Sequence, residues 1–418
     1  MRMDQDVSFT SMVKESAPSF PRHGITAPKG FLAAGIHCGI KKPRLPDLAL
    51  VVSEQSGPVA GVFTKNQVVA APVILDRLHL RHGIGRAILV NSGNANACTG
   101  AKGLAAAKTT ARLLARHIGV PVHQIFIGST GVIGRVLPVE RIIKSLPRLI
   151  NQLSDHGGTD AARAIMTTDI RPKSIALQDT IGDRLITIGG MAKGSGMIHP
   201  NMATMLAYVT TDASVTSSAL QQALALAVNE SFNCISVDGD TSTNDTVLCI
   251  ANGMAQNRMI KEGTIAFRRF LLLLTEACQA LALAICRDGE GVTKVVNIQV
   301  TGAGTAAQAR QVAQTIATSN LVKTALFGED ANWGRVMAAI GRAGVPITPS
   351  KLCLWFGGVP MVQRGIGLGL AAERRIAQIF RQKEFTITVG LGQGRHRTHM
   401  WTTDLSYDYV RINASYRS

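Results

Sequence analysis

Aromatic residues are scarce, 5% of a 418-residue chain, and acids are outnumbered, 27 Asp and Glu against 44 Lys and Arg. The resulting charge of +17 raises nucleic-acid binding, but that function calls for clustered basic residues interleaved with aromatics that stack on bases. Neither is present. The densest basic pairs are Lys41–Lys42 and Arg374–Arg375, and no RNP-type or helix-turn-helix signature occurs, so no nucleic-acid partner is expected. A pocket for small acidic substrates accounts for the charge equally well, as does plain solubility.

Long unbroken apolar runs are missing too. The greasiest stretch, Phe270 to Ile285, is interrupted by Thr275, Glu276 and Gln279, which predicts no membrane span. The first residues, MRMDQDVSFTSMVKESA, carry acids and lack an apolar core, which predicts no secretory signal and a cytoplasmic protein. The seven cysteines (Cys38, Cys98, Cys234, Cys249, Cys278, Cys286 and Cys353) form no CxxC or Cys/His cluster. They read as reduced thiols, with no metal expected. Collagen, coiled coil and general disorder are excluded. What is present is a chain with 46% hydrophobic residues and 41 glycines, long enough for two or three domains and a core that needs no staple.

Elements alternate along the chain. Strands are expected at Ala87–Val90, Gln124–Gly128, Arg184–Ile188, Thr204–Thr210, Lys294–Val300 and Glu384–Leu391, from apolar and β-branched runs. Helices are expected at Gly103–Ile118, Val139–Leu153, Ser217–Asn229, Ala266–Ile285, Ala306–Thr318, Trp333–Ala343 and Leu370–Arg381. No internal repeat is visible. The pattern is mixed α/β, with helices covering sheets.

Several loops can carry chemistry. Lys193–Leu206, KGSGMIHPNMATML, is glycine-rich and runs into a strand headed by Thr204. A threonine hydroxyl is a weak nucleophile without a base beside it, and a cut before Thr204 would let its own α-amine accept the proton. An N→O acyl shift at Ala203 followed by ester hydrolysis makes that cut; the bland alternative is a threonine that simply opens a strand. Gly128–Gly134, GSTGVIG, exposes backbone N–H groups suited to an oxyanion hole, or is a tight strand-to-helix turn. Asn233–Val247, NCISVDGDTSTNDTV, fails the EF-hand pattern at Thr243 and Cys249 and reads as a hydrogen-bonded turn network. Gly367–Ala372 is a weak dinucleotide match, and His396 and His399 read as surface residues in a strand or turn.

KGSGMIHPNMATML closely resembles the self-cleaving segment of the ornithine acetyltransferase family, the glutamate N-acetyltransferases or ArgJ enzymes. The resemblance runs nearly end to end: PKGFLAAGIHCGIK at 28–41, GVFTKNQVVAAPV at 61–73, VNSGNANACTG at 90–100, STGVIG at 129–134, TTDIRPK at 167–173, DGDTSTNDTV at 238–247, DGEGVTK at 288–294, NWGRV at 332–336 and the final INASYRS. It implies a four-layer α/β/β/α sandwich of the ArgJ/DmpA type, cleaved between Ala203 and Thr204 into an α chain, 1–203, and a β chain, 204–418, that interlock and pair as a heterotetramer. Thr204 would be the nucleophile of a ping-pong cycle. N-acetylornithine would acetylate it and release ornithine; glutamate would then leave as N-acetylglutamate. Thr130 and Gly131 would form the oxyanion hole. Substrate would touch Thr167 (or its neighbour Thr168), Lys193, Thr204, Glu290, Asn413 and Ser418. No cofactor is implied, and no motif distinguishes members that also use acetyl-CoA.

Two features depart from the family pattern: Cys234 stands where a basic residue is expected, and the pI of about 10.0 is high. The division at 203/204 places 24 Lys and Arg with 12 acids before the cut, against 20 with 15 after it. The basic bias therefore belongs mainly to the α-chain half. The competing expectation is an N-terminal-nucleophile aminopeptidase or amidase of the same fold, in which water replaces glutamate.

Overall fold

The computed structural model describes residues 23–42, 44–199 and 205–415. Its first part runs β1 (Phe31–Ile36), β2 (Leu48–Phe63), α1 (Ala71–Leu80), β3 (Ile84–Asn94), α2 (Gly100–Ile118), β4 (Ile125–Val132), α3 (Val139–Asn151), α4 (Gly158–Ala164), β5 (Lys173–Ile181) and β6 (Arg184–Lys193). Next come β7 (Leu206–Thr211), α5 (Ser217–Asn229), β8 (Ile235–Ser236), β9 (Thr246–Ala251) and α6 (Ile265–Arg287). The last part holds β10 (Val295–Ala303), α7 (Ala306–Ala317), α8 (Asn320–Phe327), α9 (Trp333–Gly341), β11 (Cys353–Phe356), β12 (Val359–Gln363), β13 (Ile366–Gly367), α10 (Leu370–Phe380), β14 (Glu384–Gly390), β15 (His396–Thr403) and α11 (Tyr407–Ser415).

Strand β2 organises the first sheet, whose order is β4-β3-β2-β9-β7-β6-β5 with β1 also on β2. Its beginning, Leu48–Val52, pairs with β1 and β3, and its end, Val59–Phe63, pairs with β9. The two halves of the sheet face each other, and side-chain alternation sends neighbouring residues into different cores. In β3, Ala87 and Leu89 pack with Leu75, Leu114 and Leu146 of α1, α2 and α3. The intervening Ile88 and Val90 join Phe126, Met191, Leu206, Tyr208 and Leu248 between the halves. In β9, Val247 and Cys249 turn the other way, onto Leu224 of α5 and Phe270 and Leu274 of α6. Strands buried on both faces need continuous apolar runs, and ILV at 88–90 is one. The architecture is thus a four-layer α/β/β/α sandwich.

Helix α6 is long and apolar enough to cross a membrane by length and composition. Here it is a core helix: Phe270, Leu274, Ala277 and Ile285 are fully buried. Thr216 and Thr264 cap the N-termini of α5 and α6 by accepting from Ala219 and Phe267 N–H, and Thr305 with Gln308 forms a capping box on α7.

Beside the sandwich, a second, seven-stranded sheet, β13-β12-β11-β14-β10-β15-β8, carries α7, α9 and α10 over its own core of Ile298, Leu354, Phe356 and Ile376. Two expectations need correcting. Strand β6 runs on through Gly189 and Gly190 to Lys193, because a Cβ at Gly189 would lie 2.2 Å from the Gly24 carbonyl, which only glycine permits. His399 lies in β15, edge-on to Trp401 with ring centroids 4.6 Å apart and partly buried, while His396 is exposed.

The inner core is close-packed where β4 crosses β7: a Cβ on Gly128 would sit 2.0 Å from Tyr208 Oη. Gly128→Ala is expected to cost about 1–3 kcal/mol in urea unfolding, and Tyr208→Phe in the same chain should restore most of it. An additive double variant would place the clash elsewhere.

Candidate active site

Strand β4 ends beside the end of β6 and the starts of β7 and β9, so four segments converge at one end of the inner sandwich. A cavity of about 350 Å³ opens there. Thr130, Gly131, Thr167, Thr168, Lys193, Glu290 and Asn413 all line it. Ala203, Thr204 and Ser418 lie outside the described residues. Met205, next after Thr204, is buried and donates its N–H to Asp245 Oδ1 at 2.9 Å.

The Thr130–Gly131 wall is the end of β4 rather than a free loop, since β4 continues to Val132. In register with β3, Thr130 lies opposite Ser92 and Gly131 opposite Gly93. Gly131 has φ +128°, and a Cβ there would be 2.4 Å from the Gly93 carbonyl carbon, so only glycine fits. Asn244 holds this wall from behind. Its Nδ2 donates to the carbonyls of Ala95 (2.7 Å) and Ser129 (2.9 Å), and its Oδ1 accepts from Thr243 Oγ1 at 2.5 Å.

Lys193 closes β6, opposite Leu206 of β7. It is only 4% exposed, and its Nζ donates to Thr130 Oγ1 at 3.2 Å. Burial pushes its pKa down, while the carboxylates of Asp169, Glu290 and Asp245 oppose that shift. Glu290 is buried under the C-terminal helix: its Oε2 accepts from Asn413 Nδ2 at 2.8 Å, and its N–H donates to Ser195 O at 2.9 Å. Gly196 lies flat against that carboxylate, with a virtual Cβ only 2.4 Å from Oε2.

Several residues of the site were not singled out by sequence reasoning. Asp238 accepts from the N–H of Met197 (2.6 Å) and Ile198 (2.9 Å) and from Tyr409 Oη (3.2 Å), tying α11 to the segment after β6. Burial raises the pKa of Asp238, of Tyr409 and of Asp245. Asp238, Asn244 and Asp245 all fall in the acidic turn segment, whose hydrogen-bonding density was its one signal. Chemically, the cavity offers a hydroxyl and a glycine peptide beside an ammonium, with a carboxylate across from them. That set suits a small zwitterionic substrate with a carbonyl to polarise. Among the described residues no group of His, Cys, Asp and Glu is placed to hold a metal.

The family model described as ArgJ family matches residues 32–418. The chain belongs to the ArgJ family. It is 48% identical to the arginine biosynthesis bifunctional protein ArgJ of Symbiobacterium thermophilum, over 94% of this chain and 98% of that one. A solved ArgJ from Bacillus halodurans is 42% identical over 50% of this chain and 98% of its own, with a TM-score of 0.48. A solved ornithine acetyltransferase from Mycobacterium tuberculosis, in complex with ornithine, is 39% identical over 43% of this chain and 95% of its own, with a TM-score of 0.38. As an ArgJ member the chain is an enzyme, an acetyltransferase of arginine biosynthesis.

In this ArgJ chain Asn244→Ala leaves the buried carbonyls of Ala95 and Ser129 without their donor. The variant is expected to lose about 1–3 kcal/mol of stability in thermal or urea unfolding. An unchanged midpoint would show that the β4 end is held by other contacts.

Proposed function

We propose that the cavity carries acetyl transfer from N-acetylornithine to glutamate through an acetyl group on Thr204, after the chain has cut itself between Ala203 and Thr204. The observation that carries this reading is the convergence of Thr130, Gly131, Lys193, Glu290 and Asn413 on one cavity, next to the strand that begins just after Thr204. The family membership of the chain supports the same chemistry.

In this reading the Thr204 hydroxyl attacks the acetyl carbonyl and its freed α-amine takes the proton. The developing oxyanion accepts from the Thr130 hydroxyl and the Gly131 amide. Lys193 donates to Thr130 Oγ1, so the Thr130 proton is free to point at the oxyanion, and the Lys193 charge also faces a substrate carboxylate. Glu290, oriented by Asn413, receives the substrate ammonium, with Thr167 or Thr168 and Ser418 completing the amino-acid contacts. Ornithine leaves with the proton held by the Thr204 amine, and glutamate then attacks the acetyl ester. The cut divides the protein into an α chain, 1–203, and a β chain, 204–418. Both contribute to the inner core, since β3, β4 and β6 precede the cut and β7 and β9 follow it. The chains stay together, assemble as a cytoplasmic heterotetramer and need no cofactor. Acetyl-CoA is a second donor in this proposal.

Denaturing electrophoresis and a paired transfer assay test the reading. The wild-type chain is expected to give two fragments in place of one 44.4 kDa band, and Thr204→Ala one uncut band with no transfer. Transfer retained by Thr204→Ala contradicts the mechanism. Acetylornithine hydrolysis that ignores glutamate would instead assign the cavity to an amidase.

A further inference from the structure

Behind the cavity wall, Lys173 at the start of β5 has a side chain only 2% exposed, and it donates to two carboxylates at once. Its Nζ is 2.6 Å from Asp169 Oδ1 and 2.6 Å from Asp288 Oδ2. Both acids also bind segments that line the cavity. Asp169 accepts from the N–H of Thr167 (2.9 Å) and of Gly194 (2.8 Å). Asp288 Oδ2 accepts from the N–H of Ile170 (3.0 Å) and Arg171 (3.3 Å), and its carbonyl accepts from Ser195 Oγ at 2.6 Å. Ser195 O in turn accepts the Glu290 N–H at 2.9 Å. Three stretches far apart in sequence, 167–173, 193–196 and 288–290, are therefore joined through one buried ammonium and two carboxylates.

Such a cluster is a poor stabiliser in its own right, because the desolvation of buried charges offsets their attraction and an apolar replacement is often as stable. Its distinctive result here is geometric. A single carboxylate fixes the backbone of Thr167 and fixes the peptide after Lys193. The titratable groups facing Lys193 are Asp169 from the 167–173 loop, Lys173 of β5, Glu290 after α6, Asp245 before β9 and Lys41 from the β1–β2 connection. Of these, Asp169 acts most strongly in favour of the charged ammonium. Asp169 itself is held well below the usual carboxylate range: burial acts against this, and Lys193 and Lys173 overcome it.

We propose that Asp169, ion-paired with Lys173 and bonded to the peptides of Thr167 and Gly194, is a positioning residue for the acetyl transfer, setting the Lys193 side chain against Thr130. The proposal rests on the role given to Lys193 above. The sign follows directly: burial lowers the Lys193 pKa and Asp169 opposes this, so neutralising Asp169 lowers it further. The loss of activity on the alkaline side then begins at lower pH.

The experiment is kcat/KM for transfer from N-acetylornithine to glutamate across pH, with a thermal melt of each full-length protein. Asp169→Asn is expected to lose tenfold or more in kcat/KM, with its alkaline limb about one pH unit lower than wild type. Lys173→Arg, which keeps the charge count, should lose activity with the limb in place. Should Asp169→Asn fail to melt cooperatively, Asp169→Glu carries the test, and it is expected to keep the limb while losing kcat. An unmoved limb in a folded Asp169→Asn protein, or an Asp169→Glu protein indistinguishable from wild type, overturns the positioning role. A wild-type protein that melts normally yet transfers no acetyl group overturns the functional reading first.

Discussion

A lysine ammonium removed from water is costly unless carboxylates and acceptors face it, and the candidate active site is arranged around meeting that cost at Lys193. Asp169 and Glu290 supply negative charge from two separate segments, Asp245 faces it from a third, and Thr130 Oγ1 supplies a hydrogen-bond acceptor at 3.2 Å. Each of these partners has a second task. Asp169 joins the 167–173 loop to Gly194, Glu290 meets Asn413 of α11, and Asp245 receives the N–H of Met205. The groups that face Lys193 therefore also fix the walls of the cavity.

The sandwich delivers these groups through strand pairing. Lys193 is the last residue of β6 and lies opposite Leu206, while Leu206 lies opposite Thr246 of β9. That register brings Lys193 and Asp245 to flank the point where β7 begins. On the facing half, β3 and β4 run parallel and carry Thr130 and Gly131 to the same end. The inner core of Ile88, Phe126, Leu206, Tyr208 and Leu248 holds the two halves in register. In the proposed mechanism that core also holds the two chains together after the cut.

Much of this was legible in the sequence, for reasons that differ by element. Helix α5 falls at Ser217–Asn229 as expected, because Thr216 caps it and its apolar residues repeat at helical spacing. Strand β3 was legible as a short apolar run, but its length was not, since Ile84 at one end is exposed and the other end, Asn91–Asn94, is polar and glycine-containing in sequence. Strand β2 escaped altogether: Glu54, Gln55 and Ser56 interrupt it with exposed polar residues just where it passes from one half of the sheet to the other. Motif likeness supplied the site residues. Sequence could not supply their pairings, because Asp169 and Asp288 meet at Lys173 only once two distant segments fold together. Helix α11 was not legible in the sequence; it is held where Tyr409 and Asn413 find Asp238 and Glu290.

The central claim is that one cavity holds an acetyl group on Thr204 between donor and acceptor. Intact-mass measurement of the protein after incubation with N-acetylornithine, without glutamate, tests it most directly. The account predicts one added acetyl group on the fragment beginning at Thr204, discharged as N-acetylglutamate when glutamate is supplied. An unmodified fragment under turnover conditions, or an acetyl group carried elsewhere in the chain, would contradict it.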